Sequence, residues 1–242
     1  MTAYVFDTEC TGIDDPEIIQ AAYYPIGEPR FGYDFPLGIG WSELRKPTKR
    51  IEWGAIATHH IFPSELEGKP PSSEFELPED CEYLIGHNID FDYNAIKSRS
   101  WYPKIKRICT YAISQHLFLD ADSYSLVALV YMCLGESMRD YAKNAHNAST
   151  DCIITAHLLN EIAKRLGVKT FEELWHISEQ CRIPRIISFG KHNGTPLEKI
   201  PSDYINWYLR QPEQTDKYLS KGLTMVRNGS YKPPKLPTSV IS

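Results

Sequence analysis

Residues 4–12 read YVFDTECTG, a short apolar run that ends in two carboxylates and a turn. The YVF run favours a buried β-strand. Alternate residues of a strand face the same side, so Asp7 and Glu9 are expected to project together. Because ligands bind outside the carboxyl ends of strands in open α/β sheets, this stretch predicts a strand with an acidic site at its C-terminal end.

The remaining pattern predicts an α/β architecture. Further strand candidates are residues 17–25, 31–41, 82–85 and 107–111, and helix candidates are residues 53–68, 91–98, 126–133 and 151–166. Pro36 suggests that the third strand is an edge strand or carries a bulge. The last helix is the clearest, because Ile154, Leu158 and Ile162 form an apolar stripe before Gly167. Strands mixed with helices indicate layers of helix packed on a sheet.

A second acidic element follows the fourth predicted strand. Residues 87–92 read HNIDFD, directly after Gly86 and at the expected start of a helix. Asp90 is a candidate helix N-cap, a position that favours aspartate. Asp92 would then lie in the first helical turn with its carboxylate available to a site. From the residues alone, both aspartates stay candidates for the site.

The third element places His146 five residues before Asp151. Five helical residues rotate about 140° around the axis, so the two side chains would not share a face of one helix. The spacing therefore predicts Asp151 inside the helix and His146 in the loop before it. A histidine beside a carboxylate site can accept a proton from water. Converging carboxylates suit Mg²⁺ or Mn²⁺, which together with the histidine predicts a two-metal phosphodiester hydrolase.

The order of these elements, a D-x-E strand, then HNxxFD, then HxxxxD before a helix, resembles the DEDDh branch of the 3′→5′ exonuclease superfamily over residues 4–166. The resemblance implies a ribonuclease H-like fold, a mixed sheet flanked by helices. It implies two Mg²⁺ ions, with Mn²⁺ able to substitute, and His146 as general base. The implied metal ligands are Asp7, Glu9, Asp92 and Asp151. Asp92 is favoured over Asp90 because the family's ligand follows the phenylalanine of HNxxFD.

Several neighbouring residues are expected to contact substrate. Residues 55–61, AIATHHI, resemble the family's A-x-x-x-H-x-I segment, which maps His59 and Ile61 to the terminal nucleotide. Ile13 follows Gly12 on a loop beside the site, where an apolar side chain can stack on or wedge against a terminal base. The full expected set is Thr8, Thr11, Gly12, Ile13, His59, Ile61, Asn88 and Phe91.

Residues 187–210, ISFGKHNGTPLEKIPSDYINWYLR, resemble the C-terminal extension of exodeoxyribonuclease X and its relatives. We therefore divide the chain into an exonuclease domain (1–168), a small extension with the FGKxxG motif (169–228) and a Pro-rich tail (229–242) that is expected to be flexible. Two interpretations of the extension stay open. It is a helical addition that packs through its aromatic residues, or it holds nucleic acid through Lys191 and the glycine-rich turn.

Composition limits the classes of protein that fit. The chain has 242 residues, 42% of them hydrophobic, and no apolar run near the ~20 residues of a membrane helix. Six scattered cysteines without a CxxC pair, and no visible export signal, predict reduced thiols and a cytoplasmic protein that does not bind membranes. A net charge of −5 argues against a nonspecific DNA-coating protein, but not against an enzyme that holds one strand end.

The expected activity is hydrolysis of the terminal phosphodiester bond at DNA 3′ ends, single- or double-stranded, with release of 5′-mononucleotides and a role in DNA repair. An exoribonuclease for short RNA and a polymerase-associated proofreading exonuclease would use the same site. A nucleic-acid-binding module on a decayed nuclease fold and a phosphomonoesterase are also compatible with parts of the pattern. The sequence leaves the oligomeric state open, a homodimer included.

Overall fold

A five-stranded mixed sheet lies at the centre of the computed structural model, which describes residues 2–98, 102, 104–211 and 216–237. Its strand order is β3-β2-β1-β4-β5. The strands are β1 (Ala3–Cys10), β2 (Ile18–Ile26), β3 (Trp41–Leu44), β4 (Tyr83–Gly86) and β5 (Lys106–Cys109). Strands β4 and β5 run parallel to β1, while β2 and β3 complete an antiparallel meander.

The central strand β1 is paired unequally on its two sides. It pairs with β2 along its whole length, from Ala3 to Cys10, with a register shift between Glu9 and Cys10. On the other side it pairs with β4 only from Ala3 to Val5. The second half of β1 therefore presents one edge without a neighbouring strand, and the side chains at that end can meet other elements.

Helices cover the sheet. Within the described ranges they are α1 (Trp53–His59), α2 (Ile89–Ala95), α3 (Thr110–Leu117), α4 (Leu126–Leu134), α5 (Arg139–Ala142), α6 (Ala148–Leu166), α7 (Phe171–Cys181), α8 (Ser202–Tyr208) and α9 (Lys217–Arg227). The predicted mixed sheet flanked by helices is confirmed. None of these described helices has the length and apolar character needed to cross a bilayer.

Helix α6 is fixed at both ends and along its apolar face. The Asn147 side chain accepts the Thr150 N–H at its start, and Gly167 ends it with a left-handed backbone. The predicted stripe, with Ile154 and Leu158 among its members, is fully buried. At the sheet, the Cys152 thiol lies 3.7 Å from the Val5 carbonyl oxygen. The helix is thereby held against β1 at the residue that directly follows Asp151.

The predicted third strand, residues 31–41, is wrong. Residues 31–40 form only an isolated bridge between Leu37 and Ile26, and the strand that pairs with β2 begins at the last predicted residue, as Trp41–Leu44. Gly32, Pro36, Gly38 and Gly40 interrupt the segment, and proline and glycine disfavour regular pairing. The predicted strand 107–111 is also too long, because helix α3 begins at Thr110.

The C-terminal residues form a second hydrophobic cluster. Its buried members are Ile187, Leu197, Ile200, Tyr204, Ile205, Tyr208, Leu219 and Leu223. Helix α7, which follows residue 168, instead buries Phe171 and Leu174 in the main core. The division at residue 168 therefore stays a prediction. Of the tail, residues 230–237 lack helix or strand, Leu236 packs against the main core, and residues 238–242 lie outside the described residues.

Gly86 ends β4 where the chain passes close to β1. A Cβ there would lie 2.9 Å from the Phe6 carbonyl oxygen and 2.7 Å from Ile89 Cδ1. We expect Gly86→Ala to lower the free energy of unfolding by about 1–3 kcal/mol, because the backbone oxygen must shift. Gly54→Ala is the control, since nothing lies within 4 Å of that position in helix α1. It should be neutral or stabilising by up to about 1 kcal/mol. Equal urea midpoints for the two variants would contradict this view.

Candidate active site

The end of β1 carries the first two carboxylates. Asp7 and Glu9 lie two residues apart in the strand, as the pattern predicts. With Asp151 of helix α6 they form a group in which one carboxylate oxygen from each residue lies within 4.8 Å of the other two. Glu9 and Asp151 are buried and Asp7 is half-buried. Residues more than 140 positions apart in the sequence therefore meet where β1 and α6 are in contact.

Asp92 reaches the same place from helix α2. Its Oδ1 atom accepts both the Thr8 backbone N–H, at 2.9 Å, and the Thr8 hydroxyl, at 2.7 Å. This N–H belongs to the part of β1 that β4 no longer pairs, so the carboxylate satisfies a donor that would otherwise be unpaired. The contact fixes Asp92, which is only 4% exposed, beside the carboxylates of β1.

Asp90 points elsewhere. It forms ion pairs with Arg107 at 2.8 Å and with Arg182 at 3.2 Å. The interpretation of Asp90 as N-cap is wrong, because α2 begins at Ile89 and its N-cap is Asn88, which has a left-handed backbone with φ of 72°. Of the two candidates that the residues left open, the structure brings Asp92 to the other carboxylates.

His146 lies in the loop before α6 and Asp151 lies inside the helix, as the spacing predicts. The His146 backbone N–H donates to Asp151 Oδ2 at 3.0 Å, and His146 adopts a left-handed backbone with φ of 65°. Strained backbone of this kind clusters at functional sites. The Asp151 Oδ1 atom is buried with no hydrogen-bond partner among the described residues. It is an acceptor that a bound cation would satisfy.

These groups line a cleft of about 160 Å³. The lining residues are Asp7, Thr8, Glu9, His87, Asn88, Phe91, Asp92, His146 and Asp151. No lysine or arginine is among them, so within the described part of the chain no basic side chain of the lining offsets the four carboxylates. The chemistry of this donor set, all oxygen and all acidic, fits a hard divalent cation.

The electrostatics follow from that crowding. Burial is the main cause that raises the pKa of Asp7 well above its ordinary value, and the charges of Asp92, Asp151 and Glu9 raise it further. Burial, then Asp151 and Asp92, raises the pKa of Glu9 to about 8. Burial is also the main cause that raises the pKa of Asp92 to about 7 and that of Asp151 to about 6. Without a cation the cluster therefore resists full ionisation near neutral pH.

The loop after β1 is braced from several directions. The Thr11 N–H donates to the Glu17 carbonyl at 2.9 Å. The Glu52 carboxyl group lies so close to Gly12 that a Cβ there would be 2.4 Å from Glu52 Cδ. Ile13 is 84% exposed on this loop. Two residues on, Asp15 forms ion pairs with Lys49 and Lys97. An exposed apolar side chain is thus held on a supported loop that follows the carboxylate-bearing end of β1.

The expected substrate residues divide into two groups. Thr8, Asn88 and Phe91 line the cleft, whereas Thr11, Gly12 and Ile13 do not. His59 and Ile61 also lie outside the lining. Both are buried, and Ile61 packs in a small cluster with Ile19, Ile51, Ile56 and Leu66. The His59 ring is close enough to His146 for their charges to interact, and its Nε2 atom has no hydrogen-bond partner among the described residues. Contact of His59 or Ile61 with a terminal nucleotide stays a prediction.

His87 also lines the cleft, a position that the sequence pattern did not predict. Its ring nitrogens bond to the Thr110 hydroxyl at 3.0 Å and to the Tyr124 carbonyl at 2.9 Å. Burial lowers the pKa of His87 to about 4, so the ring is neutral. It ties the turn between β4 and α2 to helix α3 and thereby holds Asn88 and Asp92 in place. Its position directly after Gly86 was the available signal.

Comparisons with known proteins identify the fold. No protein-family model matches the chain, and no curated protein matches it. Among solved structures, exonuclease X in complex with 5′ overhanging duplex DNA is 25% identical, with a TM-score of 0.56, over 73% of this chain and 99% of that one. The fold is therefore that of the DEDDh exonucleases, and the predicted resemblance to exonuclease X is confirmed.

Exonuclease I shares this fold. The E. coli enzyme in complex with a dA16 oligonucleotide is 18% identical, with a TM-score of 0.52, over 72% of this chain and 42% of that one. The zinc-ion-bound form of the E. coli enzyme in complex with single-stranded DNA is 15% identical, with a TM-score of 0.55, over 89% and 60%. The chain thus spans only about half of exonuclease I.

The raised carboxyl pKa values predict how stability depends on pH in EDTA. A carboxyl whose pKa is raised by folding stabilises the fold below its unfolded pKa, and this stability is lost as pH rises through the folded value. We expect the melting temperature to fall by about 5 °C between about pH 6.5 and 9, as Glu9 and Asp92 ionise. The low pKa of His87 keeps that residue out of this window.

Differential scanning calorimetry at several pH values measures this effect. Mg²⁺ should restore the melting temperature at the alkaline end, because a cation offsets the carboxylate charges. Asp92→Asn should flatten the dependence in EDTA. A melting temperature that rises with pH in EDTA would show that the cluster is not electrostatically strained.

Proposed function

We propose that this chain, with the fold of exonuclease X and exonuclease I, is a metal-dependent 3′→5′ exonuclease that acts on DNA and releases 5′-mononucleotides. The observation that carries the proposal is the meeting of four carboxylates and His146, from three separate segments, around one cleft. Neighbours with this fold are exonucleases bound to single-stranded or overhanging duplex DNA, which supports DNA as the substrate. A role in DNA repair and a cytoplasmic location stay predictions.

The acidic cluster is the proposed metal centre. Asp7, Glu9 and Asp151 offer oxygens close enough to share one divalent ion, and Asp92 lines the same cleft and would complete the set of ligands for two ions. We propose Mg²⁺, with Mn²⁺ able to substitute. When bound, such ions lower the pKa of water and stabilise negative charge on the leaving oxygen. The raised carboxyl pKa values support this assignment, since ionisation of all four groups needs a positive partner.

His146 is the proposed general base. It is exposed at the mouth of the cleft, and its backbone N–H is bonded to Asp151. The main chain is thereby anchored to the proposed metal centre while the imidazole stays available to accept the proton of the attacking water. Phe91 and Asn88 line the same cleft, and we propose that they orient the terminal nucleotide.

Replacement of His146 tests the base. We expect His146→Ala to lower kcat by about 10²- to 10⁴-fold, because proton transfer is lost, while metal-induced stabilisation is retained. Asp7→Asn should abolish metal-supported turnover. His176→Ala is the matched control, an exposed histidine on α7 outside the cleft, and should be fully active. The measurement is degradation of 5′-labelled single- and double-stranded DNA and of RNA with Mg²⁺. Full activity of His146→Ala would falsify the assignment.

Ile13 is the proposed wedge against the terminal base pair. We expect Ile13→Ala to lose about tenfold in rate on blunt duplex ends and to keep its rate on single strands, because only paired ends need separation. Ile39→Ala is the matched control, since Ile39 is an isoleucine that is 95% exposed on a different loop. Equal rates of the two variants on blunt ends would leave Ile13 without this role.

A further inference from the structure

The net charge of the chain is distributed unevenly between residues 1–181 and residues 182–242. Residues 182–242 contain ten lysine and arginine residues against four acidic ones, a net charge of +6. Residues 1–181 contain 16 against 27, a net charge of −11. The overall value of −5 therefore hides a basic C-terminal segment. Such asymmetry is typical of a part of the chain that meets a polyanion.

This basic segment contains an aromatic pocket of about 530 Å³. Its lining residues are Phe189, Gly190, Lys191, Asp203, Tyr204 and Trp207. Phe189 is 45% exposed and Trp207 is 54% exposed, although large aromatic side chains are normally buried. Two exposed rings beside a lysine form a surface on which flat, negatively charged ligands can stack. Asp203 is the one acidic residue in this lining.

The pocket is built on a rigid base. The centroid of the Tyr204 ring lies 5.3 Å from that of Trp207 and 4.4 Å from that of His192. Lys191 Nζ lies 5.6 Å from the centroid of the Tyr204 ring. The loop is a tight hairpin, in which the Gly194 N–H donates to the Ile187 carbonyl at 2.7 Å. Preorganised rings lose little conformational entropy when a ligand stacks on them.

Shared residues connect this pocket to the catalytic cleft. Asn88 lines both the catalytic cleft and a larger groove of about 630 Å³ between α2, α3 and the C-terminal residues. Phe189 lines both that groove and the aromatic pocket. Tyr111 and Lys217 lie along the groove between these two points. The cleft, the groove and the aromatic pocket therefore adjoin one another. The groove carries polar, aromatic and basic side chains together with the acidic Asp90 and Asp216.

We propose that the aromatic pocket binds unpaired nucleotides of the strand that is being digested. Bases stack on Trp207 and Phe189, Lys191 contacts a phosphate, and the strand follows the groove to the catalytic cleft. The choice of DNA rests on the proposed function. The occupant itself, a single-stranded polyanion with flat bases, follows from the charge and the exposed rings.

Binding in the absence of catalysis tests this proposal. Full-length Asp7→Asn protein in EDTA is titrated against 5′-labelled single-stranded DNA of about 20 nucleotides and of about 4 nucleotides, and anisotropy is measured. We expect Trp207→Leu to weaken binding of the long strand by about 5- to 100-fold and to leave the short strand unchanged. Trp207→Phe, which keeps an aromatic ring, should remain within about threefold of the parent.

Further variants and ligands complete the test. Lys191→Ala should reduce the slope of log affinity against log salt by about 1. Phe31→Ala is the matched control, a phenylalanine that is 92% exposed outside the basic segment, and should bind like the parent. A blunt duplex of the same length should not distinguish Trp207→Leu from the parent, since its bases are already stacked.

Three outcomes would overturn the proposal. These are unchanged affinity of Trp207→Leu for the long strand, equal weakening for the long and short strands, and equal weakening for single strand and duplex. A nuclease assay on the short strand with Mg²⁺, done with the protein that retains Asp7, tests the proposed function separately. If the protein is active but Trp207→Leu does not change the affinity for the long strand, only the aromatic-pocket proposal is wrong. If the protein is inactive but Trp207→Leu weakens binding of the long strand, only the proposed function is wrong.

Discussion

The repulsion among four carboxylates crowded at one cleft is the constraint on which the site depends. Asp7 and Glu9 project from the half of β1 that has lost its β4 neighbour, and Asp92 replaces that neighbour by accepting two hydrogen bonds from Thr8. The missing strand partner and the acidic cluster are thus one structural feature. The unpaired edge of β1 makes room for the carboxylates. One of them, Asp92, accepts the hydrogen bond of a backbone N–H on that edge.

Part of the site could be predicted because it depends on local periodicity. The two-residue repeat of a strand places Asp7 and Glu9 together, and helical rotation separates His146 from Asp151. Asp90 and Asp92 could not be distinguished in this way. Both lie in the first turn of α2, and the distinction comes from Arg107 and Arg182, which approach from later elements.

Other errors have the same origin in nonlocal packing. Residues 31–41 contain enough β-forming residues to suggest a strand, but the pairing partner of β2 is decided by register, which begins at Trp41. The two open interpretations of the extension also prove compatible. Tyr204 and Tyr208 of helix α8 pack inside the second cluster, while Trp207 of the same helix is exposed. The aromatic pattern could not assign these roles, because it does not reveal which face is covered.

The buried Arg182 has a consequence for how this protein could be rebuilt. Its side chain is 4% exposed, pairs with Asp90 of helix α2, bonds the Arg107 carbonyl and lies over the Tyr218 ring of helix α9. One guanidinium thus ties the helix that carries Asp92 to the last helix. The C-terminal residues are not a cassette that can be exchanged freely between homologous enzymes. A chimera that omits Arg182 leaves Asp90 with Arg107 as its ion-pair partner, and one that keeps Arg182 must supply another side chain to cover the guanidinium.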